Sequence, residues 1–218
     1  MFSWNRRLWH LQASLLFCGG LLGCASAPEL APESKDYGLE QGQVWVRGPW
    51  ETIPPSKDPD EVVDALCTAV MALPGAQLGA YGQEYCGLIY SLGDGLYYAS
   101  SPSPLGRTQL VGPAKEKSCF VPRRVVDARG QPDTLADYHG HPWSPSSMDK
   151  SRKDRVSATQ VFSIRIQFDK ACHLQKLIPY LKEDRPGELY ERRGKTWKLI
   201  GLIQPENKAS GAITRVDD

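Results

Sequence analysis

The chain has 218 residues, of which 41% are hydrophobic and 23% charged, with a formal net charge of +1. That length allows one domain with a full-sized core, and the balanced charge gives no electrostatic case for a nucleic-acid partner. Plentiful glycine (20) and proline (17) suit a loop-rich mixed fold better than a helical bundle.

Residues 1–23 read as a targeting segment: Arg6 and Arg7 are positive, Leu8 to Leu22 are largely apolar, and Gly23 and Cys24 close the run. Leu21-Leu22-Gly23-Cys24 resembles the bacterial lipobox, in which the cysteine is lipidated and becomes the mature N-terminus. Ala25, rather than aspartate, follows the cysteine, as in lipoproteins sorted to the outer membrane. The resemblance implies a lipid anchor on Cys24 and a place in the cell envelope, since several chains on one cysteine hold firmly. An ordinary signal peptide cut after Ala25 or Ala27 is the alternative. A membrane span fits less well, because His10, Gln12 and the glycines leave too short an apolar run.

Residues 24–42, rich in Ala, Pro, Glu and Ser, read as a flexible tether. Gln43 to Arg47 alternates like a first strand. Asp58-Pro59-Asp60-Glu61 combines an N-cap, a proline at the first helical position and acids in the first turn. The helix it opens carries Val62, Leu66, Ala69, Val70 and Leu73 on one face, and Pro74-Gly75 stops it.

Strands follow. Cys86 to Tyr90 and Leu96 to Ala99 flank the turn Gly93-Asp94-Gly95 and predict a hairpin. Val121 to Val126 is a candidate edge strand, given Pro122. Leu135 to His141 forms another. Val161 to Phe168 alternates most clearly, with Phe162, Ile164, Ile166 and Phe168 on one face and Ser163, Arg165 and Gln167 on the other. Leu189 to Ile203 predicts a hairpin turning at Arg193-Gly194, and residues 206–218 read as a frayed tail. The expected fold is α/β (α+β): one domain over 43–205, with a mostly antiparallel sheet flanked by two or three helices.

Of six cysteines, Cys18 leaves with the signal and Cys24 carries lipid. Cys67, Cys86, Cys119 and Cys172 remain. Outside the cytoplasm they form two bridges in one of three pairings, or else stay as buried thiols. None forms a CxxC pair, so a thiolate zinc site has no support.

The segment Tyr138 to Asp149 (YHGHPWSPSSMD) carries the densest chemistry. On a strand, His139 and His141 project from one face with Cα atoms roughly 6.5–7 Å apart. Two imidazoles so placed fit one ion, and Asp149 supplies a third ligand if the PWSP turn folds back. A bland reading accounts for the same residues. Ser146-x-x-Asp149 is close to a capping box, and strand histidines are often only hydrogen-bonded.

His139-Gly140-His141-Pro142 followed by Ser146-x-x-Asp149 resembles the core motif of JAB/MPN-type (JAMM) metalloproteases. Upstream, Glu84-Tyr85-Cys86-Gly87-Leu88 is similar to that family's Glu-x-Cys-Gly-Leu segment, and it too follows a helix. The resemblance spans roughly Pro59 to Ile203. It implies a zinc ion (Zn2+) held by His139, His141 and Asp149, with water in the fourth position. Glu84 is then the general base and Ser146 the donor to the developing oxyanion. Two departures stand out. The spacer from His141 to Ser146, Pro142 to Pro145, is shorter than usual, and Gly140 stands where serine is frequent.

The expected function is therefore zinc-dependent hydrolysis of a peptide or isopeptide bond in a peptide or protein substrate. A cell-wall peptide crosslink, a secreted protein or a toxin precursor fits that location. The alternative is a catalytically inactive lipoprotein of the same fold that binds a partner; a third reading is an unrelated fold in which Ser146 and Asp149 only cap a helix. Asp94 and Glu61 have local explanations, in a turn and a helix cap. His173 reads as a surface or packing residue, and Lys150 to Arg155 as a solvated helix face. Trp143 lines a cleft or covers the turn.

Overall fold

The computed structural model describes residues 34–111, 114–142 and 160–216. The expected signal segment, Cys24, Trp143, Ser146, Asp149 and the basic run at 150–155 lie outside these residues.

The described chain begins with a hairpin, β1 (Tyr37–Glu40) and β2 (Gln43–Arg47), which turns at Gln41 and Gly42, both of positive φ. The tether expected over 24–42 thus ends in a strand. β2 forms where its alternation predicts, with Val44 and Val46 buried. Helix α1 (Pro59–Met71) starts as expected: the Asp58 carboxylate accepts from the Asp60 N–H at 2.9 Å, and Pro59 opens the first turn.

After α1 come β3 (Tyr85–Ser91) and β4 (Tyr97–Ala99), paired antiparallel across the Gly-Asp-Gly turn as the sequence predicts. β5 (Gly106–Val111) and β6 (Ala114–Cys119) form a separate two-stranded arm. The short β7 (Arg124–Val126) pairs parallel with β2 and completes a three-stranded sheet. Then come β8 (Asp133–His141), β9 (Ile164–Asp169), β10 (Leu174–Ile178), β11 (Gly187–Arg193), β12 (Thr196–Ile203) and β13 (Thr214–Arg215). The main sheet runs β13-β12-β11-β10-β9-β8-β3-β4, and within it only β8 and β9 are parallel. β11 and β12 form the terminal hairpin, with Gly194 at φ +59° in its turn. The expected frayed tail instead returns β13 onto β12.

The expected α/β class is corrected. Of the described residues 43% lie in strands and 11% are helical, so the fold is mostly β, with an eight-stranded sheet, two small sheets and one α-helix. A sheet flanked by two or three helices is not what these residues form. The physical reason is that β5 and β6 pair with each other, and β10 with β9 and β11, across short connections, while their residues show no clear apolar alternation, so a local reading does not mark them as strands.

The core explains why α1 lies where it does. Val62, Val63, Leu66, Cys67 and Val70 pack on Ile89, Ala136, Tyr138, Ile166 and Phe168. Two glycines make this close approach possible. A Cβ at Gly87 would stand 2.3 Å from the Tyr138 ring, and one at Gly140 would stand 2.7 Å from Phe168 and 2.9 Å from Met71. The Tyr138 hydroxyl, lying across Gly87, donates to the Ser100 carbonyl at 2.9 Å.

Two disulfides form, Cys67–Cys172 and Cys86–Cys119, so the pairing left open by the sequence is resolved. Cys67–Cys172 joins α1 to the β9–β10 turn across 105 residues of sequence. Closing so long a loop stabilises by about 4–5 kcal/mol in the chain-entropy account.

Candidate functional site

Because strand side chains alternate, the face of β8 opposite α1 carries Asp137, His139 and His141. In parallel register, β9 sets Arg165 beside Asp137 and Gln167 beside His139. All five side chains are buried. The result is a polar layer inside the protein, where every group needs a partner. Arg165 Nε donates to Asp137 Oδ2 at 2.8 Å, and Gln167 Nε2 to Gln175 Oε1 at 2.7 Å. Burial pushes the Asp137 carboxyl up, while the charge and hydrogen bond of Arg165 pull the other way.

β3 brings the acid. Its antiparallel register with β8 pairs Tyr85 with Gly140 and Cys86 with His139, so Glu84, one residue earlier, falls opposite His141. Glu84 Oε1 lies 2.9 Å from His141 Nδ1. The His139 and His141 rings meet edge-on with centroids 4.8 Å apart. Relative exposures are 7% for Glu84, 3% for His139 and 1% for His141, so the three groups meet in the interior rather than on an open surface.

The electrostatics favour a neutral imidazole at His139. Burial holds His139 well below the ordinary histidine range, and its neighbours His141 and Arg165 act in the same direction. The buried Nε2 of His139 has no hydrogen-bond partner among the described residues. Glu84 meets His141 at Nδ1, and a carboxylate in that place is the kind of partner that sets the ring tautomer of metal-ligating histidines.

Of the residues the sequence singles out, the structure therefore brings together Glu84, His139 and His141. Ser146 and Asp149 lie outside the described residues. No group of three or more His, Cys, Asp or Glu side chains among the described residues is arranged to hold a metal ion. His173 is apart from this cluster: its half-exposed ring pairs through Nδ1 with Asp169 Oδ2 at 2.8 Å and staples the β9–β10 turn.

Sequence reasoning missed the supports. Asp137 lies two residues before His139 on the same strand face, and that spacing was a usable signal. Arg165 and Gln167 were placed together on one face, but not as a buried layer under the histidines. Gln83 and Cys119, which hold Glu84, carry no local signal, because their role depends on the β6 arm returning to the start of β3.

Comparisons with protein-family models, with curated proteins and with solved structures found no match to this chain.

Proposed function

We propose that the protein is a zinc-dependent hydrolase of a peptide or isopeptide bond, acting from a lipid on Cys24 in the bacterial cell envelope. The observation that carries this reading is the buried contact of Glu84 with His141 at 2.9 Å, beside His139 on the same strand. The motif resemblance to JAMM metalloproteases supports it at the level of the site residues, not of the overall architecture.

Two of the three expected zinc ligands lie among the described residues, and their chemistry supports the reading. The two imidazoles share one strand face, and the Nε2 of His139 is a buried nitrogen with no protein partner among the described residues. His139 and His141 would hold the ion, with Asp149 expected as the third ligand. When bound, zinc supplies a Lewis acid that polarises a carbonyl and acidifies water. Glu84 takes the proton from the attacking water and returns it to the leaving amine. Ser146 donates to the oxyanion that develops on the carbonyl.

The test assays the purified protein against peptide and isopeptide substrates, with and without zinc, beside Glu84→Gln. Zinc-dependent cleavage is expected, falling by about 10²–10⁴-fold in the variant. Cleavage that survives chelation, or no cleavage by the wild type, sinks the reading.

One observation favours a second reading, a catalytically inactive envelope lipoprotein that serves as a binding module. Glu84, His139 and His141 are all buried, whereas a substrate needs access. Zinc binding without turnover, together with equal partner capture by wild type and Glu84→Gln, selects it.

A further inference from the structure

The Glu84 carboxylate is held at both oxygens. Oε1 meets His141 Nδ1, and Oε2 accepts the backbone N–H of Cys119 at 3.2 Å. That second donor is unusual in origin. Cys119 ends β6, which belongs to the separate two-stranded arm and not to the sheet that carries Glu84 and the histidines. Its position near Glu84 depends on whatever ties the arm to β3.

Three ties do so. The Cys86–Cys119 disulfide joins the arm to β3 beside Glu84, with the Cys119 sulfur 4.0 Å from Glu84 Oε2. The backbone of residues 82–84 runs parallel to β6, with Glu84 N–H donating to Lys117 O at 2.8 Å. The side-chain amide of Gln83 lies within hydrogen-bond distance of three carbonyl oxygens, those of Glu84 (2.8 Å), Pro104 (3.0 Å) and Lys117 (3.2 Å). It therefore fastens the segment before β3, the loop before β5, and β6 itself.

We infer that the Cys86–Cys119 disulfide and Gln83 are positioning residues that clamp the Glu84 carboxylate against His141, by holding the Cys119 N–H on Glu84 Oε2. This deepens the hydrolase reading and rests on it for its catalytic consequence. A base acts on a water only from a fixed direction, and misplacement by about 1 Å costs about 10²-fold in rate. A carboxylate gripped at one oxygen swings about its last torsion, whereas one gripped at both does not. The other disulfide, Cys67–Cys172, ties the buried face of α1 to the β9–β10 turn and makes none of these contacts. It serves as the internal control.

The experiment follows the imidazole N–H resonances of the purified protein by ¹⁵N NMR, in wild type, Cys86→Ala/Cys119→Ala and Cys67→Ala/Cys172→Ala. Glu84→Gln, which shifts the resonance that touches it, assigns the His141 Nδ1–H. In wild type this proton is protected from solvent. Its exchange speeds up at least about tenfold in Cys86→Ala/Cys119→Ala beyond the factor set by that variant's loss of global stability in urea unfolding. In the control pair it rises by no more than that variant's own loss of global stability accounts for. Gln83→Leu retains both disulfides and must also speed exchange, so the result stands even where the double variant does not fold. A wild-type protein without a protected His141 Nδ1–H, or unchanged exchange in either Gln83→Leu or a folded Cys86→Ala/Cys119→Ala, overturns the clamp. In hydrolysis assays kcat falls about 10–100-fold in Cys86→Ala/Cys119→Ala, with KM and zinc content unchanged. Absence of hydrolysis in every form defeats the enzymatic reading alone, and the NMR comparison still decides the clamp.

Discussion

Glu84 Oε1 and His141 Nδ1 stand 2.9 Å apart, although 57 positions separate them in the chain (141 − 84). A carboxylate in that place fixes the ring tautomer and raises the basicity of the opposite nitrogen. Removal of such a partner lowers metal affinity by about 10–100-fold. Glu84→Ala is expected to weaken zinc binding by that factor in competition with a chelating dye, while Glu84→Gln, which keeps an acceptor oxygen, weakens it less. Equal affinity in wild type and Glu84→Ala would show that the contact does not support a ligand.

Gly140 is set by packing. A side chain there meets the buried Phe168 ring at 2.7 Å and the end of Met71 at 2.9 Å. Met71 is able to swing away, but Phe168 is locked in the core under α1. Gly140→Ser, the residue frequent in the resembling motif, is expected to lose about 1–3 kcal/mol of stability. Urea unfolding measures it, and a neutral or stabilising result contradicts this account of the α1 contact.

Asp137 and Arg165 form a buried pair one alternation below His139. Arg165→Met strands a buried carboxyl and is expected to cost about 3–5 kcal/mol, whereas replacing both residues by apolar ones of similar size recovers much of that loss. A double-mutant cycle by chemical unfolding reads the coupling. Additive effects would contradict it.

At the other side of the fold, Asp127 accepts from the Tyr90 hydroxyl at 2.6 Å and from Arg129 at 2.7 Å. The guanidinium of Arg129, together with these hydrogen bonds, holds the Asp127 carboxyl down at about 2. Its unfolded value is about 3.9. The native state therefore binds the proton less tightly than the unfolded state. The stabilisation, on the order of 2 kcal/mol, is complete above about pH 4 and is lost as pH falls towards about 2. Asp127→Asn is expected to lower stability at neutral pH and to flatten the acid limb of the stability profile over that window. An unchanged acid limb contradicts it.

These relationships differ in how far the sequence reveals them. α1 is legible because its signals are local: a capping aspartate, a proline at the first position, a four-residue apolar rhythm and a Pro-Gly stop. β2, the β3–β4 hairpin and the β11–β12 hairpin are legible through alternation and glycine turns. β1, β10 and β13 are not, since they gain strand structure only from partners already in the sheet. The arm β5–β6 draws no expectation from the sequence, because Arg107, Thr108 and Lys117 break any apolar alternation there. Local pattern alone thus favours too much helix and too little sheet, and the fold class is corrected accordingly. At the site, the residue types of Glu84, His139 and His141 are legible, but their meeting depends on the β3–β8 register, which no local pattern gives. The disulfide choice, the Gln83 amide and the Asp137–Arg165 layer likewise follow from the same non-local pairings.

The most direct test of the central claim is the zinc content of the purified protein, measured by inductively coupled plasma mass spectrometry beside His139→Ala and His141→Ala. The account predicts about one zinc per chain in the wild type, the single-ion stoichiometry of a three-ligand site, and loss of that zinc in both variants while each still unfolds cooperatively. A wild-type protein that takes up no zinc, or histidine variants that retain it fully, would contradict the account.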